Sequence, residues 1–419
     1  MATADSENHP VSTVPDEIVV DLPYEDLVLA LLRDLGLRRE VKASSRVLEL
    51  SRIGVSGLDE AATRLRAEAD ELAASPGSQP WRTAFPRPTG QASPLDLLLY
   101  TIRFRTAREN AGWTFEMGKN RHVRSVIGLP HLSVGGVLYP EPASAPTPRP
   151  GEPARDTCLV GVLDTRITAH PALVGKLHAD EGAVLDGAGP HSHYAGHATF
   201  VAGRILAEAP EARLVVAAVL DAERGRLTAW DTALAMMKFR DSGVKILNLS
   251  LGCITADGDA PLIIARAVEL LTPQMVIGAA AGNPGDPKLN GDSGTDERAA
   301  CWPAALSQVE AVGALTEAGD RGEFSPDVRW TSFMAPGQNV VGPFLTGTVN
   351  VQTREHGTLP TEFPEGWASW SGTSFAAATV TGRLARLTAR NGGDPHAALR
   401  ELRRTLRQAG GSDPIRLAH

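Results

Sequence analysis

The sequence predicts an α/β protein: a doubly wound, mostly parallel sheet with helices on both faces, preceded by a smaller α/β domain at the N-terminus. Two observations carry that prediction. Apolar stretches at residues 158–163, 214–220 and 275–281, and at 244–249 with Lys245 and Asn248 interrupting, have the composition of buried strands. Amphipathic helical segments at 227–239 and 260–271 lie between them, and such alternation is the pattern of a parallel sheet with crossover helices. Second, residues 140–151 are rich in proline and small residues, a composition that reads as a semi-rigid, solvated linker and a domain boundary. The expected organisation is a disordered tail over 1–16, an N-terminal α/β domain over 17–139, a linker over 140–154 and the main domain over 155–410.

In the N-terminal part, residues 17–22 read as a strand and 23–37 as a helix with Leu27, Leu31 and Leu35 on one face. Pro23 suits its first turn and Gly36 its end. Val47, Leu48, Glu49 and Leu50 form a second strand candidate, followed by a charged helix over 58–73 with Leu58, Ala62, Leu65 and Leu72 on one side. Breaks at 75–80 and 86–90 precede a helix at 95–108, and 113–139 reads as glycine-punctuated, strand-like pieces. His122 and His131 stand isolated there and read as structural. This part carries no catalytic constellation.

Composition excludes several function classes. A formal net charge of −8, with no long block of either sign, gives no basic footprint for nucleic acid. Cys158, Cys253 and Cys301 are too few for a disulfide framework and lack close metal-ligand spacing, so they read as buried small hydrophobes. The first 16 residues are polar and acidic, unlike a secretory signal. No run approaches the ~20 apolar residues a membrane helix needs. The expectation is a cytoplasmic protein with neither nucleic acid nor membrane as partner.

The chemistry concentrates near the C-terminus, where Ser374 is framed by Gly372, Thr373 and Phe375 and followed by an alanine run. A serine hydroxyl is a poor nucleophile unless a base, an orienting carboxylate and oxyanion donors serve it. Asp164 ends the first buried strand, at the edge where open α/β sheets build their sites; taken alone it reads as a cap or turn residue. His197 opens a helix of small residues and is the best base. The neighbouring His191 and His193 could suggest a metal, but no carboxylate or thiolate stands at matching helical spacing. Asn283 closes an Ala/Gly run; its amide NH2 is an uncharged donor suited to an oxyanion, although an Asn before Pro284 also reads as a turn residue.

The loop at 284–298 carries Asp286, Asp292, Asp296 and Glu297, which could bind calcium, favour basic substrate residues or simply be solvated; they lack a regular spacing of oxygen ligands. No cofactor is required, and structural calcium has no clear motif. Residues 309–315 and 334–337 are further strand and turn pieces, 349–365 a polar insertion, and 395–407 a basic amphipathic helix on the surface.

Asp164-Thr165, Gly196-His197-Ala198-Thr199 with Val201-Ala202-Gly203, Ala280-Ala281-Gly282-Asn283 and Gly372-Thr373-Ser374 occur in the order Asp, His, Asn, Ser. With His170-Pro171, Asn248, Ser250-Leu251-Gly252, Trp302-Pro303-Ala304, Ala311-Val312-Gly313 and Met334-Ala335-Pro336-Gly337, this set resembles the subtilisin-like serine proteases, the subtilase family, over roughly residues 155–390. The resemblance implies a subtilisin-like sheet and a serine endopeptidase with a polypeptide substrate. It assigns Ser374 as nucleophile, His197 as base, Asp164 as its orienting carboxylate, and Asn283 with the Ser374 N–H as the oxyanion hole. It also implies that Ser250, Leu251 and Gly252 pair with an extended substrate, and that Ala280, Ala281 and Gly282 line the pocket for the residue before the cut.

Departures from the family pattern are Arg166 in place of a glycine, Ala198 and Phe200 around the base, and Ala377-Ala378 where Ser-Pro is usual. The last implies a looser helix behind Ser374; Arg166 either meets substrate carboxylates or points to solvent. Residues 17–139 do not match a family propeptide outright. They read as an inhibitory chaperone, as a domain recruiting a partner or substrate, or as a fixed part of the enzyme, the latter two being favoured. The rival to an enzyme is a catalytically silent module that keeps the fold for binding.

Overall fold

The computed structural model describes residues 13–75, 83–88, 92–125, 139–147, 157–185, 190–220, 226–284, 296, 298–353, 357–408 and 415–417. They fall into two units. The smaller comprises Thr13–Arg121 with Pro261–Arg266, and the larger comprises His122–Ala260 with the chain from Ala267 onward.

The smaller unit contains β1 (Thr13–Asp21), α1 (Glu25–Asp34), β2 (Arg38–Ser45), β3 (Leu50–Ser56), α2 (Leu58–Ala74), α3 (Pro94–Glu109) and the first part of β4 (Met117–Ser125). Its antiparallel strands run in the order β4-β1-β3-β2. Ile18, Val20, Ile53 and Val55 on the sheet share a core with Val28 and Leu32 of α1, Leu65 of α2, and Leu98, Ile102 and Phe104 of α3. Helix α3 begins where the sequence says it should: Ser93 accepts from the Asp96 N–H, Asp96 accepts from the Ser93 N–H, and Pro94 occupies the first turn.

Two expectations fail here. Residues 13–16 belong to β1, not to a disordered tail; residues 1–12 lie outside the described residues. The strand foreseen at Val47–Leu50 is mostly the turn between β2 and β3, with Val47 half-exposed and Glu49 at φ +52. The strand that pairs there, β2, is an exposed edge of charged residues, so it lacks the apolar signal that sequence reading relies on.

The larger unit continues with β5 (Glu141–Pro142), β6 (Leu159–Asp164), β7 (Leu177–Ala179), β8 (His191–Ser192), α4 (His197–Glu208), β9 (Arg213–Ala218), β10 (Arg226–Thr228) and α5 (Ala229–Met237). Next come β11 (Ile246–Leu249), β12 (Leu251–Ile254), α6 (Leu262–Leu271, its residues up to Arg266 counted with the smaller unit), β13 (Val276–Ala280), β14 (Cys301–Trp302), β15 (Val309–Leu315) and β16 (Phe333–Pro336). The chain then forms β17 (Val340–Pro343), β18 (Gly347–Thr353), β19 (Gly357–Phe363), β20 (Trp367–Trp370), α7 (Thr373–Arg390), α8 (Pro395–Gln408) and β21 (Ile415–Arg416). Eight strands form one sheet, in the order β21-β16-β15-β13-β11-β6-β9-β7, and every pairing in it is parallel. The register Val162↔Asn248↔Gly278 sets the C-terminal ends of β6, β11 and β13 side by side. A carboxylate, Asp164, thus arrives next to the segments that follow β11 and β13. This is the doubly wound α/β architecture foreseen.

Three expectations are corrected. The first half of the proline-rich stretch is mostly exposed, as a solvated segment is, but it is not a free linker: Pro140 is buried, β5 pairs with β20, and the Ala143 N–H donates to the Trp367 carbonyl. An edge strand tolerates proline because the missing N–H faces away from the ladder. Residues His122–Ser125 also belong to the larger unit, so the boundary foreseen at 139 falls earlier. Finally, α7 is a continuous 18-residue helix despite lacking the usual Ser-Pro, with Ala377 and Ala378 fully buried. Alanine keeps the helical hydrogen bond that proline would remove. The polar insertion is the hairpin β18–β19, and α8 packs Ala398 and Leu402 inward as expected of an amphipathic helix.

Helices α4 and α7 meet closely. A Cβ on Gly382 of α7 would lie 2.6 Å from the Ile205 carbonyl oxygen and 2.6 Å from Glu208 Cβ of α4. Glycine weakens a helix interior by about 1 kcal/mol relative to alanine, yet here it permits the approach. Gly382→Ala is therefore expected to destabilise the protein by about 1–3 kcal/mol in urea denaturation, opposite in sign to its helix propensity.

Candidate active site

The loop before α4 and the end of β6 deliver two groups to one point. Asp164 Oδ1 lies 2.7 Å from His197 Nδ1, and both residues are wholly buried. The same oxygen accepts from the Thr165 N–H at 2.7 Å, while Thr165 Oγ1 accepts from the Ala198 N–H at 3.1 Å. The Asp–Thr pair thereby pins the first turn of α4 to the strand end, and Ala198 enters this arrangement without displacing it. A carboxylate held against Nδ1 fixes that nitrogen as the protonated one and leaves Nε2 as the ring nitrogen able to take up a proton.

Aromatic rings set the position of the imidazole. Trp370 stands edge-on to it at 5.8 Å between centroids, and Phe375 lies at 5.6 Å. Phe200, a departure from the family pattern, fills the space behind, 4.3 Å from Phe375 and 5.6 Å from Trp370. Gly342 accommodates it, since a Cβ there would approach the Phe200 ring at 3.1 Å.

Ser374 is the second residue of α7. Among the described residues its Oγ and His197 Nε2 have no hydrogen-bond partner, so the hydrogen bond that would link nucleophile to base is open in this geometry. Catalytic hydrogen bonds commonly tighten only on the substrate. The Thr373 N–H donates to Asn283 Oδ1 at 3.0 Å, and the Phe375 and Ala376 N–H groups donate to the Gly372 carbonyl. Among the first-turn amides this leaves the Ser374 N–H, at the positive end of the helix, to face an anion. Thr373 Oγ1 also lies 2.9 Å from Asn283 Oδ1. With Oδ1 taken, the Asn283 amide is oriented so that its NH2 end can act as donor. Sequence reading had Thr373 only as part of the serine motif; its role in orienting Asn283 needed the fold.

Ala280, Ala281 and Gly282 follow one another out of β13 and are buried, and Gly282 takes φ +99. Cys301 belongs with them: a Cβ on Gly282 would meet Cys301 Cβ and Sγ at 3.6 Å. Burial pushes the Cys301 thiol up to about 12, as it does Cys158, so both stay protonated small groups, as the sequence implied.

Leu251 and Gly252 are in β12 as expected, but the chain itself occupies their free edge. The end of β4 runs antiparallel between β10 and β12, with Ser125↔Leu251 and Arg124↔Gly252 on one side and Val123↔Leu227 and His122↔Thr228 on the other. His122 is thus a strand residue. Ser250 does not lie in that ladder; it is fully buried and its hydroxyl donates to the Ser374 carbonyl at 3.2 Å.

Arg166 is exposed and has no ion-pair partner among the described residues. Asp286, Asp292, Glu297 and His131 lie outside the described residues. Among those described, no cluster of three or more His, Cys, Asp or Glu is placed to hold a metal ion. No described helix is long and apolar enough to cross a membrane.

His193 has a different task from His197. It stacks on Tyr194 and meets Trp370 edge-on, and its Nδ1 accepts from the Gln352 N–H of β18 at 3.2 Å. Burial lowers its pKa to about 4, a hydrogen bond to the Asn350 backbone opposing and nearby His197 assisting the fall. The unfolded chain binds this proton near pH 6.5. The stabilisation is therefore full above about pH 6.5 and is lost progressively as pH falls toward about 4. Between about pH 7 and about pH 5, urea denaturation should show the wild type losing about 2 kcal/mol more than His193→Gln.

Known proteins resemble this chain over most of its larger unit. The profile of the subtilase family matches residues 155–413. The major intracellular serine protease of Bacillus subtilis is 31% identical over 240 residues, 54% of this chain and 66% of that protein. A thermophilic serine proteinase of Bacillus sp. strain AK1 is 32% identical over 244 residues, covering 56% of this chain and 52% of that one. The chain thus spans less than two thirds of the length of either relative. Among solved structures, the patellamide maturation protease PatA is 27% identical with a TM-score of 0.45, covering 60% of this chain and 85% of that one. With 259 consecutive residues matched and the Asp, His, Asn and Ser segments in family order, the chain belongs to the subtilase family of serine proteases.

Proposed function

We propose that this chain is a serine endopeptidase that cuts polypeptides through an acyl-enzyme. The observation that carries the reading is the wholly buried 2.7 Å contact between Asp164 and His197, set beside a serine at the start of a helix. In this reading His197 Nε2 takes the Ser374 hydroxyl proton as Oγ attacks the scissile carbonyl, and later returns it to the leaving amine. Asp164 stabilises the imidazolium formed in between. The Asn283 amide and the Ser374 N–H receive the negative charge of the tetrahedral intermediate. Ala280, Ala281 and Gly282 line the pocket for the residue preceding the cut, and protein groups alone supply the chemistry.

The protease is regulated or acts in processing, inside the cell. Residues His122–Ser125 sit where Leu251 and Gly252 would pair with an extended substrate, a β-augmentation contact made in cis. Substrate must displace this segment. The name of the Bacillus subtilis relative, an intracellular protease, supports a cytoplasmic location. Residues 13–121 serve to recruit a partner or the polypeptide substrate.

A fluorophosphonate probe should label Ser374 in the folded wild type and leave Ser374→Ala unlabelled; absence of labelling in folded wild type would sink the reading. Asn283→Ala is expected to lower kcat by about 10²–10³ with KM nearly unchanged. Val123→Pro removes a ladder donor from the occupying strand. It should raise the initial rate of peptide hydrolysis, by roughly tenfold for each 1.4 kcal/mol of pairing lost.

A further inference from the structure

A chain of buried hydrogen bonds runs from the middle of α7 back to its first turn by way of the sheet. Thr381 Oγ1 donates to Asn248 Oδ1 at 3.0 Å, Asn248 Nδ2 donates to Ser250 Oγ at 2.9 Å, and Ser250 Oγ donates to the Ser374 carbonyl oxygen at 3.2 Å. Thr381, Asn248 and Ser250 are all fully buried. A helical threonine ordinarily turns its hydroxyl to a carbonyl one turn back. Thr379 does so, donating to the Phe375 carbonyl at 3.0 Å, whereas Thr381 reaches across to β11. Room for it exists because Gly278 of β13 has no side chain: a Cβ there would lie 3.3 Å from Thr381 Oγ1.

The direction of the chain is determined at each joint. Thr381, donating, takes the amide oxygen of Asn248, which turns the NH2 end toward Ser250. Ser250 then accepts on its oxygen and has its single proton left for the Ser374 carbonyl. Were the Asn248 amide reversed, Ser250 would spend that proton on Asn248 and release the carbonyl.

We propose that Thr381 is a positioning residue for the nucleophile, acting through Asn248 and Ser250. It rests on the serine-protease reading. The peptide unit that the relay anchors starts at Ser374, whose Oγ attacks and whose own N–H is an oxyanion donor. Holding that carbonyl to the β11–β12 junction fixes the height of both atoms relative to His197 and Asn283. The relay touches neither the occupying strand nor the pocket lined by Ala280 to Gly282, so its loss should act on the chemical step and leave binding alone.

The test uses the full-length chain, with Thr381→Val to remove the hydroxyl at constant shape, Thr381→Ser to restore it, and Ser250→Ala alone and combined with Thr381→Val. Peptide hydrolysis gives kcat and KM, and fluorophosphonate inactivation gives a maximal rate and an affinity. Thr381→Val should lower kcat and the maximal inactivation rate about tenfold, equal to about 1.4 kcal/mol, with KM and probe affinity within about twofold. Thr381→Ser should recover most of the loss, and the double variant should be no slower than Ser250→Ala, as expected of residues acting as one unit. A reactive wild type with Thr381→Val equally fast, with the loss confined to KM, or with additive effects in the double variant would overturn the relay alone. A folded wild type inert to both reagents would overturn the protease reading and the relay with it.

Discussion

The wholly buried contact between Asp164 and His197 is the constraint around which the larger unit is arranged. A carboxylate removed from water is costly unless other groups compensate it. Here the imidazole Nδ1 and the Thr165 amide both lie 2.7 Å from Oδ1. That compensation requires the end of β6 and the start of α4 to stay within a few tenths of an ångström of one another. The threonine following Asp164 achieves it by bonding both ways, its amide to the carboxylate and its hydroxyl to the next helix.

A second constraint follows, because in the proposed mechanism a base fixed to the sheet is useful only if the serine is fixed to the same frame. Helix α7 carries Ser374 and is buried along much of its length, in contact with α4 through small residues and with the sheet through Thr381. The Arg383–Glu208 ion pair at 2.7 Å and the Arg204–Thr379 hydrogen bond at 3.2 Å tie the flanks of the same two helices. Apolar packing sets their separation, whereas the polar contacts choose the register in which one helix slides on the other. The aromatic group of Trp370, Phe375 and Phe200 then packs between the segments that carry His197 and Ser374.

How much of this was readable in the chain depends on the range of the interactions involved. The central strands were legible because strands buried on both faces must be apolar throughout, and Asp164, His197, Asn283 and Ser374 because they stand beside strand ends or helix starts that sequence marks well. Edge strands were not: β2 is charged and β5 contains proline, and neither carries a hydrophobic pattern. The turn at Val47–Glu49 was misread because apolar residues in sequence need not be buried in space. The partners of Leu251 and Gly252 lie more than a hundred residues upstream, and no local feature of residues 122–125 announces the pairing. Ser250 was recognised as part of a motif read for its backbone, and the sequence held no sign that its hydroxyl turns inward to the Ser374 carbonyl.

The hairpin β18–β19 is inserted between β17 and β20, which pair with each other from Val340↔Trp370 to Pro343↔Trp367. The excursion therefore starts and finishes at a closed base, and its own Val349, Val351 and Phe363 share the core on which that base packs. Its far strand is an exposed edge, while β18 pairs in parallel with β8, Val349, Val351 and Phe363 join the core, and the Gln352 amide bonds His193 in the loop before α4. Only the outward positions of β19 are free to diversify without disturbing the neighbouring core; the inward face of β18, with Val349, Val351 and the Gln352 amide, marks how far that freedom extends.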